Sequence, residues 1–357
     1  MSVLNHTPFP AIAFRQYNLA GQMNGVVAVR GTFKLVENAK MRVADRQASL
    51  VMSDTYTGNP HQTSCIAQTD LVPYKPGTDI TFIGSTFAPG GIPSQSWRCG
   101  MRIGSTSKFL TVHGPRDWVP TATKTWRGAL ARKMYEDISW DLSKAKPVNA
   151  VPLDWDRAYG GALPTAEGSV PDVVRTNPLG RGVVPHLTQY DATSIIAPQI
   201  ESQENPVSDW RVEYSPEGFG FISPWWRQRQ QHAGTYDDAW LNERHPLLPA
   251  DFDFRFWQCA HPDLIVEPWL IGKESFELVN LMPEIENFVG RLPDIQLRMR
   301  LQIGERYGVT DLVLDGVHFD MRPDVENVYL TWRAGFPWET GKGQPELAIV
   351  TPEMAAV

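Results

Sequence analysis

The chain has 357 residues, of which 42% are hydrophobic and 20% charged, and a formal net charge of -7. That composition is globular and excludes global disorder or a fibrous architecture, and the length suits one large domain or two intimately packed ones. The acidic balance, with no run of Lys/Arg, argues against nucleic acid and anionic membrane as partners, because both require a concentrated basic surface.

The three cysteines, Cys65, Cys99 and Cys259, are too few and too scattered for a disulfide framework or a zinc spacing, so reduced, buried thiols are expected. Met1 to Ala20 carries neither a basic n-region nor an apolar h-region. No later stretch reaches the roughly 18 uninterrupted apolar residues of a membrane span, and a bacterial cytoplasmic location is the expectation. The 29 Pro and 28 Gly punctuate the chain into short elements and long irregular connections. The 13 Trp serve either a β-rich core or interface anchors.

In chain order, the β-branched run Val26 to Val36 predicts a strand behind the turn Gly21 to Gly25. Ile80 to Ala88 predicts another, bounded by Lys75-Pro76-Gly77-Thr78 and Pro89-Gly90-Gly91. Trp97 to Ile103 and Lys108 to His113 flank Gly104-Ser105-Thr106-Ser107 and read as a hairpin. A short helix is open around Ala129 to Tyr135, before alternation resumes at Ile138 to Leu142. Leu163 to Asp209 is Pro-, Gly-, Asn- and Ser-rich, a long excursion over the surface. Trp240 to His245 predicts a short helix stopped by Pro246. Phe276 to Leu281, Ile295 to Ile303, Val309 to Phe319 and Val325 to Ala334 predict strands. The last three alternate as a half-buried antiparallel sheet does, and the final two are expected to form a hairpin around Met321 to Asp324.

Signatures of chemistry are sparse. Gly272-Lys273-Glu274 and Gly341-Lys342-Gly343 lack the hydroxyl and the earlier glycine of a phosphate-binding loop. Neither a Gly-x-Ser-x-Gly elbow nor a His-Glu-x-x-His motif occurs. The densest polar constellation runs from His232 to Asp263 and includes Asp237, Asp238, Glu243, Arg244, His245, Asp251, Asp253, His261 and Asp263. Two readings of it stand: caps, Asx-turns and ion pairs around a compact loop, or the ligands of a metal-dependent hydrolase. Asp154 and Asp156, before Arg157 and Tyr159-Gly160-Gly161, read either as a braced turn or as a carboxylate dyad.

Aromatic residues interleaved with arginines between Phe219 and Trp257 match the make-up of interface cores. Trp225, Trp226, Arg227, Tyr236, Trp240, Arg244 and Trp257 are the partner-binding candidates. The alternative is that so long a loop builds its own small core with Arg stems over ring faces. Flat rings at Trp225 and Trp226 also suit a carbohydrate-binding module.

Several segments together carry a resemblance: Thr7-Pro8-Phe9, Asp70-Leu71-Val72-Pro73-Tyr74-Lys75-Pro76-Gly77-Thr78-Asp79, Pro152 to Gly161, Asn177-Pro178-Leu179-Gly180-Arg181-Gly182, Ala233 to Asp237, Pro246 to Asp253 and Val279-Asn280-Leu281. In this order, from about Thr7 to Pro293, they resemble the family labelled domain of unknown function 2169. The resemblance implies an adaptor or chaperone of type VI secretion that binds a toxin effector and helps load it onto the VgrG spike. It brings no catalytic residue, cofactor or metal. The expectation is thus a mainly β (β-rich α+β) protein of antiparallel sheets, sandwich- or barrel-like, with long ordered loops and few short helices. An adaptor domain over residues 1–334 and a tail over 335–357 are expected, with no enzymatic activity.

Overall fold

The computed structural model describes residues 2–127, 133–162, 173–184, 194–338 and 345–350. The β-branched run in the N-terminal region forms the 12-residue strand Met23–Lys34. Side chains alternate across it, sending Val27, Val29 and Phe33 into the main hydrophobic core and Arg30 and Thr32 to the opposite face. It lies in a seven-stranded sheet of order Ile265–Val266, Thr78–Ile83, Val313–Asp320, Asn327–Pro337, Met23–Lys34 and Ala11–Tyr17, with Arg42–Val43 paired beside Met23–Lys34. Its pairs are antiparallel apart from Thr78–Ile83 against Val313–Asp320, which is parallel. The predicted C-terminal hairpin is present, with a bulge between Leu314 and Gly316.

A second, antiparallel sheet has five strands in the order Ile200–Ser202, Thr106–His113, Ser96–Ile103, Ser275–Met282 and Ile285–Arg291. Its inward residues, among them Met101, Leu110, Phe276 and Leu278, join Ile80, Phe82, Val317, Phe319, Leu330 and Trp332 of the first sheet in one core. The rings of Phe276 and Phe319 meet across the layers at 5.5 Å. This is a sandwich, and none of the described sheets closes into a barrel. Ser2–Asn5, Glu346–Val350, Arg298–Ile303 and Arg306–Asp311 make a four-stranded sheet. Residues assigned to a tail from 335 onward therefore begin inside the strand Asn327–Pro337, and Leu347 and Ile349 are fully buried in the core.

Of the helix considered around Ala129 to Tyr135, residues 129–132 lie outside the described residues, and the last three residues do not form it. Residues 133–135 belong to the strand Lys133–Leu142, antiparallel to Asp117–Arg127. The weak helical period yields to cross-strand pairing, and Trp118 and Trp140 from the two strands enter a smaller core with Tyr159 and Tyr214. Asp117–Arg127, Ala11–Tyr17 and Ile285–Arg291 are strands that alternation did not announce.

Within the long excursion, Ile200–Ser202 adds to the five-stranded sheet, pinned by Glu201, which accepts from His113 Nε2 at 2.7 Å and Arg116 Nη2 at 2.5 Å. Asn177 is wholly buried and donates to the carbonyls of Trp155 (2.8 Å) and Tyr159 (3.0 Å). It brings the Asn177 to Gly182 motif against Gly160 and Gly161. A Cβ on Gly161, whose φ is +100°, would lie 2.4 Å from the Gly180 carbonyl oxygen.

Truncating Phe319 tests the sandwich core. Phe319→Ala is expected to lower the unfolding free energy by about 3–5 kcal/mol. In urea denaturation this appears as a lower midpoint at unchanged slope.

Candidate functional site

The second face of the seven-stranded sheet departs from the half-buried pattern expected of it: its polar residues are covered too. Arg30, Thr32, Asp79, Thr81, Asp315, His318, Asp320, Thr331 and Arg333 are all buried. The physical reason is pairing, both with one another across neighbouring strands and with the segments laid over them. Arg333 Nε donates to Asp315 at 2.6 Å, and its Nη1 donates to the Asp70 carbonyl at 2.8 Å. Arg30 pairs with the Asp70 carboxylate at 3.3 Å, while the other oxygen of that carboxylate accepts from Val51 N at 2.7 Å. Lys75 Nζ donates to Asp79 and to Gln68 Oε1, each at 2.6 Å. The Asp79 carboxylate also accepts from Cys259 N and Ala260 N, each at 3.1 Å. Three cations, Arg30, Lys75 and Arg333, thereby face three carboxylates, Asp70, Asp79 and Asp315.

This ionic layer is suited to holding segments in place, and its titration behaviour agrees with that. Burial, reinforced by the Asp79 charge, pushes the Cys259 thiol well above its usual range. Burial raises Cys65 and Cys99 to about 12, so none of the three thiols is poised as a thiolate. Burial pushes His318 down to about 3, with the Arg30 and Arg322 charges adding to the effect against Asp320. Its Nδ1 shares a 2.9 Å hydrogen bond with Thr81 Oγ1.

Where the ionic layer reaches the end of the sheet, a groove of about 470 Å³ opens. Tyr17, Tyr74, Phe254, Trp269 and Val313 line it, with Lys75, Asp315 and Arg333 also contributing. The Tyr74 ring stands edge-on to Phe254 at 5.4 Å and to Trp269 at 6.2 Å, and the Trp269 indole donates to the Lys75 carbonyl at 3.1 Å. Tyr17 and Tyr74 are 48% and 42% exposed, which for rings at the mouth of an apolar groove leaves a large face open to a ligand. Tyr17 ends the strand Ala11–Tyr17, and among the described residues no further strand pairs with the outer edge of that strand.

The seven residues proposed from sequence separate into three environments. Trp226 is completely buried, edge-on to Trp155 at 5.4 Å, and so belongs to the core and not to a surface. Trp225 is half-buried between Trp226 and His61, and Trp257 packs into a loop core with Phe252 and Phe256. Arg244 is committed to the Leu248 carbonyl at 3.0 Å and to the Leu19 carbonyl at 2.8 Å, tying its loop to the turn before Met23–Lys34. Tyr236 is 54% exposed and meets the half-buried Trp240 at 4.6 Å, next to exposed Leu241, so these remain surface groups. Arg227 is exposed at the start of the short helix Arg227–Gln230.

Several polar residues from His232 to Asp263 cap and pair within the loop, while Asp263 pairs outside it with Lys108. Asp237 caps the helix Asp238–Glu243 by accepting from Trp240 N at 2.8 Å, Asp253 Oδ2 accepts from both Nε and Nη2 of Arg255, and His261 lies beside Lys108 and Asp263. Lys108, itself buried, bridges Glu217 at 2.5 Å and Asp263 at 2.9 Å. Among the described residues no group of three or more His, Cys, Asp or Glu side chains is arranged to hold a metal ion. Among them, too, no helix is long and apolar enough to cross a membrane.

Sheet order and groove define a β-sandwich that carries a buried ionic layer and an aromatic-walled groove. The chain belongs to the family described as "Uncharacterized protein conserved in bacteria (DUF2169)", which matches residues 20–333. A search of the curated proteins and of the solved structures finds no match.

Two predictions follow from the buried groups. Lys75→Met strands Asp79 without its cation and is expected to destabilise the fold by about 3–5 kcal/mol, whereas Lys75→Met with Asp79→Leu recovers part of that loss in chemical denaturation. His318 and His261 are held by burial at about 3 and about 4, below the usual histidine value of 6.5. Between those values the unfolded chain binds more protons, so the stability present above pH 6.5 declines on acidification. The slope is up to about 1.4 kcal/mol per pH unit for each histidine. Urea midpoints measured between pH 7 and 4.5 should fall, and fall less steeply in His261→Gln.

Proposed function

We propose that this protein is a non-catalytic adaptor or chaperone of type VI secretion, acting in the bacterial cytoplasm. In this reading it binds a toxin effector and presents it to the VgrG spike. One observation carries the binding role: the open 470 Å³ groove walled by Tyr17, Tyr74, Phe254 and Trp269. Tyrosine and tryptophan supply large contact area at low entropic cost, and a groove floored by a fixed ionic layer is ready for an extended segment without reorganising. The exposed pair Tyr236 and Trp240, with Leu241, offers a second set of anchors. Family membership supports the pathway through the role that the resemblance implies, and the acidic chain, with its buried reduced thiols, suits a protein partner in a reducing compartment.

The test is co-purification with the effector encoded beside this gene, together with secretion of that effector from a deletion strain. A stable complex is expected. Tyr74→Ala combined with Tyr236→Ala should weaken capture at least about thirtyfold, since a hot-spot aromatic is worth about 2 kcal/mol or more. Absence of association, with secretion surviving the deletion, would retire the proposal.

A further inference from the structure

A second concavity lies away from the aromatic groove and differs from it in chemistry. It has a volume of about 420 Å³, and its lining includes Arg175, Arg211, Arg227, Glu213, Trp210 and Thr176. The backbone fixes two of these arginines together: Arg227 N donates to the Arg175 carbonyl at 2.9 Å, and Gln228 Nε2 donates to the Thr176 carbonyl at 2.6 Å. Arg211 is neutralised by Asp209 through bonds of 2.9 and 2.7 Å. Arg175 and Arg227 are exposed, and among the described residues neither has an ion-pair partner. With Arg211 answered by Asp209, Glu213 is the remaining acid among the described lining residues, set against two guanidinium groups that no described acid answers.

Like-charged groups repel, and in a chain of net charge -7 two cations lining one concavity, neither paired among the described residues, are a local reversal of the overall sign. Guanidinium forks match carboxylates bidentately and stack on flat groups. The walls beside them are apolar as well, with Val183, Val184 and Val212 among them, so the ligand that fits carries carboxylates next to aliphatic stem. We infer that this pocket binds an acidic segment of a protein partner, its Glu or Asp carboxylates meeting Arg175 and Arg227 while the stems lie against Trp210 and the valines. The macromolecular nature of this ligand rests on the binding-protein reading above; the site itself rests on its own charge and geometry. It also accounts for Arg227, whose side chain makes no hydrogen bond or ion pair among the described residues.

Calorimetric titration of the full chain with a capped hexaglutamate peptide at low ionic strength tests this without any effector. Saturable binding is expected, weakened by added salt. The double variant Arg175→Ala/Arg227→Ala should lose at least about tenfold in affinity, the scale of one or more hydrogen bonds to charged groups. Arg46→Ala, an exposed arginine outside the pocket, should change nothing. Because both pocket arginines are exposed, the double variant should keep its thermal midpoint. Equal affinity in wild type and double variant overturns the site, as does absence of binding. Arg-dependent binding of inorganic phosphate or glutarate with none of hexaglutamate overturns the peptide assignment in favour of a small anion. Failed effector capture alongside intact, Arg-dependent hexaglutamate binding would retire the secretion role and leave the pocket standing.

Discussion

Everything on the outer side of the larger sheet depends on one constraint: a face bearing Arg30, Asp79, Asp315, His318 and Arg333 has been taken out of water. Isolated buried charges would each cost several kcal/mol, so this face is tolerable because neighbouring strands pair Arg333 with Asp315 and Thr81 with His318 while the covering segments supply the remaining partners. Asp70, Gln68 and Lys75 come from one covering segment, and the amides of Cys259 and Ala260 come from another. The polar layer thus fixes where both segments lie, and through them the Tyr74, Phe254 and Trp269 side chains that wall the groove. An apolar layer of the same volume could be as stable, but it would not dictate the register of irregular loops in this directional way.

The arrangement explains how a chain with so many prolines and so little helix holds long connections still. A loop cannot satisfy its own backbone as a strand does, so it needs fixed donors and acceptors beneath it. The Asp70 carboxylate taking Val51 N and Arg30 is one such fixture, and Asn177 spanning the Trp155 and Tyr159 carbonyls is another. The Gly160, Gly161 and Gly180 cluster allows the backbones to approach where any Cβ would collide. Three of the segments that carry the family resemblance, those around Asp70, Gly160 and Asn177, thus lie where loop meets sandwich, which is a structural reason for their Gly, Pro and Asp content.

How much of this was legible follows from the range over which each signal acts. Alternation along Val26 to Val36 and Val325 to Ala334 is local, and it located the central strands. Alternation also suggested that the polar residues of those strands faced water, and there it misled. Arg30 finds Asp70 at a separation of 40 residues and Arg333 finds its carbonyl at 263, so no window along the chain contains both members. The aromatic stretch is a similar case. Its density marked a region rich in contacts, but in irregular backbone no period says which rings turn inward. Trp226 and Tyr236, ten positions apart in that stretch, end at opposite extremes of exposure. The groove was invisible for the same reason: Tyr17, Tyr74, Phe254 and Trp269 converge from four separate segments.

The two concavities share a logic that separates affinity from selectivity. Aromatic faces at the 470 Å³ groove are tolerant partners, since any flat or aliphatic surface can pack on them. The Arg175 and Arg227 guanidinium groups at the 420 Å³ pocket, unpaired among the described residues, are not, because a neutral or basic segment entering there leaves two cations desolvated without compensation. A protein that used both would bind through the first and discriminate through the second, and discrimination built on penalising the wrong partner requires rigid surroundings. The buried ionic layer supplies that rigidity at the groove, and at the pocket the backbone bond from Arg227 to Arg175 ties the two arginine positions together.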